Sequence, residues 1–308
     1  MEKKAIIRKE NRSFWMGVAI LMIIMCHIQY TCYDDRFFMR ILRFFFKNGE
    51  FGVEIFLFLS VVGLCYSVDA HSIRKFYVNR VKRLFPMYFF FLLFSLFFLG
   101  QDRHFGIYVL YQLTGLANFV GNPFNEWYIP AVILIYALFP ALMRIVNYIC
   151  RFGMIYGLLT VILFILIYPL TNDIITPYFA RRLYLIVLGI LVYQSSMRNK
   201  GIGVLFPLSI IASVQLFLPS CYTAFLYVPL LIVVIDKYVQ VLPARAFFSW
   251  IGKHSLEVYL GQTLGIIYFC SQSELSVSIK LIMGIIITIV SAVVMYYGHS
   301  LFYKLVRV

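Results

Sequence analysis

Apolar residues along this chain do not alternate with polar ones; they run together. Stretches of about twenty hydrophobic side chains, separated by short charged or glycine-containing connections, recur ten times. A helix rising about 1.5 Å per residue needs that length to cross a hydrocarbon core roughly 30 Å thick. The windows fall near 14 to 32, 51 to 68, 84 to 100, 127 to 146, 152 to 170, 181 to 196, 202 to 218, 221 to 236, 254 to 271 and 279 to 303. The expected fold is all-α, a polytopic transmembrane helical bundle of about ten spans forming one domain over 1 to 308. Residues 105 to 121 are apolar too, but Gly115, Asn118, Gly121 and Asn122 fit a re-entrant or surface segment better than a span.

Composition agrees with that pattern. Of the 308 residues 62% are hydrophobic and 13% charged, and the mean hydropathy of +0.88 excludes an ordinary soluble globule. A formal charge of +14 would suggest nucleic acid in a soluble protein. Here the cations punctuate hydrophobic runs and report topology, so no nucleic-acid partner is expected. With the amino terminus inside, 19 of the 27 Lys and Arg residues fall on the inner face, which predicts that both termini are cytoplasmic. Lys3, Lys4, Arg8, Lys9 and Arg12 resemble the start of a secretory signal, but no small-residue cleavage site follows, and the first helix is expected to stay attached. The six cysteines are single, without CxxC pairs or His spacing suited to zinc, so no metal is expected. Cys32, Cys221 and Cys270 fall near one predicted face, where one disulfide or apolar filling would suit them.

The stretch "DRFFMRILRFFFKN" spaces Arg36, Arg40, Arg43 and Lys47 four, three and four apart, a basic stripe opposite Phe, Met, Ile and Leu. It reads as a helix over 36 to 47 lying in the outer headgroup layer, in contact with membrane lipid. Arg40 and Arg43 are also candidates for receiving an anionic, lipid-linked acceptor.

Two buried ionisable residues stand out. His27 lies in "ILMIIMCHIQY", twelve residues past the interfacial Trp15 and so roughly 18 Å into the membrane. Glu54 enters about one turn into the second window, from the opposite direction, and reaches the same outer half. An imidazole or a carboxylate among aliphatics costs free energy and is a functional candidate by default. Paired, the two would make an acid/base unit in which the carboxylate orients the ring. Either could equally be a packing hydrogen bond between helices.

Other polar positions frame them. "SIRKFYVNRVKRLFPMY" reads as the loop into the third helix. It sets Arg80 and Arg83 three apart, with Lys75 upstream, where guanidinium forks suit phosphates and inner-face anchoring would use the same residues. Trp127 and Tyr128 open the fourth window as interfacial aromatics that also make sugar-stacking surfaces. Ser255, Tyr259 and Gln262, spaced four and three, form a polar stripe expected to face the bundle interior.

Taken in order, "SFWMGVAILMIIMCH", "FGVEIFLFLSVVGL", "FYVNRVKRLFPMY", "WYIPAVILIYALFP" and "IGKHSLEVYL" resemble acyltransferase family 3, integral membrane enzymes, over residues 12 to about 265. The resemblance implies an O-acyltransferase of the bacterial inner membrane. It would move an acyl group, most commonly acetyl, from cytoplasmic acetyl-CoA to a hydroxyl of a surface or exported carbohydrate, lipid-linked or free. By similarity His27 matches the family's first-helix catalytic histidine, Glu54 the acid of its GVDxFF-like motif, and Arg80, Arg83 and Pro86 its RxxRxxP element, associated with the donor. The chain also departs from the pattern. The arginine usual eleven residues before the histidine is Met16, with Arg12 one turn earlier. A usual glycine is Val61, two frequent acids are Val132 and Ile133, and a frequent late histidine is Gln262. An appended hydrolase domain is not expected.

On this reading the coenzyme's phosphates meet Arg80 and Arg83, and its thioester reaches His27. The imidazole then acts as general base on the acceptor hydroxyl or takes the acyl group itself. The alternative is a non-enzymatic transporter of lipid-linked sugars, which predicts internal repeats with paired broken helices. The two halves of the chain show no convincing self-similarity.

Overall fold

A computed structural model of the chain describes residues 8, 10–31, 48–99, 105–120, 126–171, 174–198, 202–214 and 226–306. The basic stripe with Arg40 and Arg43, together with Cys32 and Cys221, lies outside the described residues. The described residues contain helices and no strand. The longer helices are α1 (Arg12–Thr31), α2 (Phe51–Ala70), α3 (Ile73–Leu99), α4 (Phe105–Thr114), α5 (Tyr128–Ile149), α6 (Met154–Ile167), α7 (Tyr184–Arg198), α8 (Ile202–Val214), α9 (Val228–Ile235), α10 (Arg245–Lys253), α11 (Ser255–Gln262) and α12 (Val277–Val306).

Each of the ten apolar windows holds helix. Among the described residues, five segments are long and apolar enough to cross a membrane: Arg12–Thr31, Phe51–Ala70, Tyr128–Ile149, Met154–Thr171 and Val277–Phe302. The third helix begins eleven residues before its apolar window. The basic stretch, expected to be a loop, is the first part of α3. It contains no helix breaker before Pro86, and Ser72 supports its start, the Ser72 carbonyl accepting from Phe76 N–H at 2.8 Å. Residues 105 to 120 form α4 and the short helix Ala117–Val120, too short to cross. They are broken at Gly115, whose φ of +82° and close approach to the Pro130 carbonyl both require a residue without Cβ.

The described residues form two compact units. The first comprises Met1–Arg12, Glu54–Val78 and His104–Leu242. In it α2, α5 and α7 run parallel. Glu54, Trp127 and Arg182 meet where these helices begin, and Asp69, Asn147, Tyr193 and Gln194 meet toward their ends. Helix α6 runs antiparallel to α7, with Gly157 against Leu191 and the Ser195 hydroxyl donating to Met154 Sδ at 3.8 Å. Helices α2 and α7 approach closely at Gly189, where an added Cβ would lie 2.5 Å from Val61 Cγ1. Near the amino terminus Asn11 Nδ2 donates to the Asp236 carbonyl at 2.8 Å, and Arg8 N–H donates to the Asp236 carboxylate at 3.1 Å.

The second unit comprises Ser13–Val53, Asn79–Arg103 and Pro243–Val308. Its backbones touch through glycines, as expected where helices associate in lipid. A Cβ at Gly17 would strike the Phe248 carbonyl, and one at Gly252 the Ser13 carbonyl. The His27–Gln262 bond, further along both stretches, sets α1 in the same direction as α11. Helix α12 runs antiparallel to α11, with Gly261 against the Thr288 carbonyl and Gly265 against that of Gly284. Between α11 and Cys270 the chain makes seven residues of π-helix, Thr263–Phe269. Cys270 is a free thiol, with Sγ 3.3 Å from the carbonyls of Gly265 and Lys280.

Candidate active site

In the second unit the half-buried His27 finds its partner on α11. Its Nδ1 lies 2.7 Å from Gln262 Oε1, and Gln262 has no exposed surface. The neighbouring bonds fix which way the protons point. The Thr263 hydroxyl donates to the Tyr259 carbonyl at 3.1 Å, which can only accept, so Thr263 Oγ1 must accept from Gln262. That places the carboxamide Nε2 toward Thr263, at 3.2 Å, and its oxygen toward the imidazole. His27 Nδ1 therefore carries the proton, and Nε2 keeps its lone pair. In this tautomer a neutral histidine can accept a proton from a hydroxyl.

The π-helix begins immediately after Gln262. Such insertions in α-helices recur at functional sites because they re-aim side chains that a regular turn would direct elsewhere. Gly261 and Gly265, four apart, seat this segment directly on α12, where Thr288 donates to the Gly284 carbonyl at 2.8 Å. Helix packing on one side and the Thr263 bond on the other thus hold Gln262.

In the first unit Glu54 is fully buried and forms an ion pair with Arg182, Nε to Oε1 at 2.9 Å. Arg182 is 1% exposed, and its Nη1 donates to the Tyr178 carbonyl at 2.8 Å. Its guanidinium lies 5.4 Å from the centre of the Trp127 ring, a cation–π contact that desolvation strengthens. Tyr178 stacks on Trp127 at 6.0 Å, and Arg181 lies 5.5 Å from the Tyr178 ring, so cations and aromatics alternate. Asn118 secures this end. Its Nδ2 donates to the Trp127 carbonyl at 3.1 Å, and its Oδ1 accepts from the Thr176 hydroxyl at 2.8 Å. The Glu126 carboxylate accepts from Ile129 N–H at 2.8 Å and so supports the start of α5. Tyr184, 1% exposed, holds its hydroxyl without a hydrogen-bond partner among the described residues.

Among the other candidates, Arg80 and Arg83 share one stretch of α3 in the second unit, the first half-buried and the second exposed. Lys75, also on α3 and exposed, belongs to the first unit. Tyr128 packs against Phe56 at 6.2 Å. Of the stripe on α11, Gln262 bonds to His27 and Tyr259 contributes its carbonyl, whereas Ser255 is buried two turns earlier.

The departures from the family pattern all fall at buried positions. Met16, Val132 and Ile133 are buried apolar residues. Arg12 sets its guanidinium against Gly63 of α2, within 3.1 Å of where a Cβ there would sit. Val61 takes the place of a usual glycine, and Gly189 on the facing helix provides the room its methyls need. Sequence alone did not mark Arg182 or Thr263, and it marked Asn118 only as a polar interruption of an apolar run. Arg182 carried a weak signal, as one of two adjacent arginines opening an apolar window.

A family model described as an acyltransferase domain matches residues 17–298, nearly the whole chain. No curated protein and no solved structure matches it.

Proposed function

The chain belongs to acyltransferase family 3, and from that premise we propose that it is a membrane O-acyltransferase. The acetyl group of cytoplasmic acetyl-CoA is transferred to a hydroxyl of a surface or exported carbohydrate, lipid-linked or free. The observation that carries the reading is the Tyr259–Thr263–Gln262–His27 chain of hydrogen bonds, which leaves Nε2 as the basic nitrogen of a half-buried imidazole. A general base needs a ring nitrogen with its lone pair available, and this network commits the proton to Nδ1 and leaves that lone pair on Nε2.

In the proposed step His27 Nε2 takes the proton of the acceptor hydroxyl as its oxygen attacks the thioester carbonyl. The carbon–sulfur bond breaks, the acyl group stays on the acceptor oxygen, and the proton passes from the imidazolium to the departing thiolate, giving free coenzyme A. Gln262 keeps the ring oriented throughout and remains neutral. Arg80 and Arg83 serve the phosphates of the donor, with Lys75 adding positive charge. Glu54, held by Arg182, is assigned the acidic role, Trp127 and Tyr128 are assigned to the sugar by their ring faces, and Ser255 and Tyr259 are assigned to it by their hydroxyls. Arg40 and Arg43 are assigned to an anionic or lipid-linked acceptor.

Sealed inverted vesicles given labelled acetyl-CoA and a panel of glycans test this. Label on a luminal glycan, absent with His27→Ala, is the expected result. Transport of a glycan with no coenzyme A released supports the transporter instead.

A further inference from the structure

Away from Glu54 and Arg182, at the other ends of α2, α5 and α7 in the first unit, lies a cavity of about 380 Å³. That volume is within the roughly 300–1,000 Å³ that takes small ligands. We propose that it is a purine-nucleotide site that holds the nucleotide end of the acyl donor. The proposal rests on the acyl-CoA reading above and adds a contact that the arginines of α3 do not supply.

Two paired sets of polar groups line it. The Tyr193 hydroxyl donates to the Asp69 carboxylate, and the Gln194 carboxamide donates to Asn147 Oδ1. Each pair has hydrogen-bonding capacity left over. Asn147 keeps both its N–H groups, Gln194 its oxygen, and Asp69 an oxygen, and none has another hydrogen bond among the described residues. Side-by-side amide donors and acceptors match the edge of an adenine ring, which presents a ring nitrogen beside an amino group. Met143 and Met197 add polarisable thioethers, suited to the flat face of an aromatic ring.

Arg151 completes the site. It is exposed, lines the cavity just past the end of α5, and its guanidinium has no ion pair or hydrogen bond among the described residues. A guanidinium beside a base-sized, amide-lined space selects a phosphate attached to that base. A lipid chain would leave the amides unpaired, and a neutral sugar would leave the arginine and the thioethers without a counterpart. The distribution of Lys and Arg assigns this end of the helices to the cytoplasm, where nucleotides are found.

The test is equilibrium binding of adenosine 3′,5′-bisphosphate, which carries no acyl group, to the full chain in nanodiscs, with 5′-AMP and ATP as competitors. The wild-type protein is expected to bind the 3′,5′-bisphosphate in preference to the other two. Arg151→Ala should weaken binding about tenfold, as expected for one charge-assisted hydrogen bond, and Arg151→Lys should recover part of it. Asn147→Leu should weaken it by a similar factor, and thermal melts of each variant show whether it is folded. Absence of binding, preference for ATP, or unchanged binding in a folded Arg151→Ala protein overturns the proposal. Binding without any acyl transfer refutes the acyltransferase reading and leaves the nucleotide site standing.

Discussion

His27 on α1 and Gln262 on α11 are 235 residues apart in sequence and share a 2.7 Å hydrogen bond. The Thr263 hydroxyl, committed to the Tyr259 carbonyl, sets the orientation of the amide and through it the tautomer of the imidazole. By the resemblance to the family, Gln262 stands where a histidine is frequent. Here a neutral amide does the orienting, without adding a charge that would hold the ring protonated.

Replacing Gln262 by Leu removes the acceptor from Nδ1 and frees both ring position and tautomer. A net hydrogen bond of about 0.5–1.5 kcal/mol corresponds to a loss in kcat of up to roughly tenfold, with KM for acetyl-CoA unchanged. The rate of coenzyme A release checks it. A variant at the wild-type rate would show that Gln262 only packs.

Thr263→Val tests the next link. It keeps the shape and removes the hydroxyl that orients the amide, so Gln262 can turn its nitrogen toward His27. The expected result is a loss of kcat comparable to that of Gln262→Leu, and no further loss when the two substitutions are combined, because both act through the same imidazole. Additive losses would contradict the chain of bonds.

Much of the fold could be read from the sequence because lipid imposes a length. Each of the ten apolar windows holds helix, five of them long and apolar enough to cross among the described residues, and His27 and Glu54 stood out simply as ionisable groups among aliphatics. Their partners could not be read in the same way. Which residue of α11 lies level with His27 depends on the glycine contacts of α1 with α10 and of α11 with α12, and those are set by packing. An arginine opening a span has the sequence signature of an interfacial charge; the burial of Arg182 arises only where the starts of α2, α5 and α7 converge on it. The start of α3 was hidden because charge suggests a loop, whereas a stretch without glycine or proline remains helical.

The Glu54–Arg182 pair should behave as a buried ion pair. Arg182→Met or Glu54→Leu alone leaves an uncompensated charge among apolar and aromatic groups and should cost about 3–5 kcal/mol. The double variant should recover most of that, because neither charge is then stranded. Melting in detergent measures all three, and a double variant no more stable than the singles would contradict the pairing as the dominant interaction.

Val61 and Gly189 should exchange roles. Gly189→Val alone forces two branched side chains into space where a single Cβ already comes within 2.5 Å, and overpacking of this kind costs about 1–3 kcal/mol. Adding Val61→Gly returns the volume and should restore the melting temperature toward wild type. If the second substitution lowers it further, the helices do not compensate across this contact.

The central claim is that the imidazole of His27 is the base for acyl transfer. The measurement that addresses it most directly is acceptor-dependent release of coenzyme A thiol from acetyl-CoA in sealed inverted vesicles, comparing wild type with His27→Ala at matched protein levels. The account predicts release that depends on the acceptor in wild type and a rate lower by about 10²–10⁴ in His27→Ala, the range that a positioned general base contributes. Release at the wild-type rate from the alanine variant would contradict it.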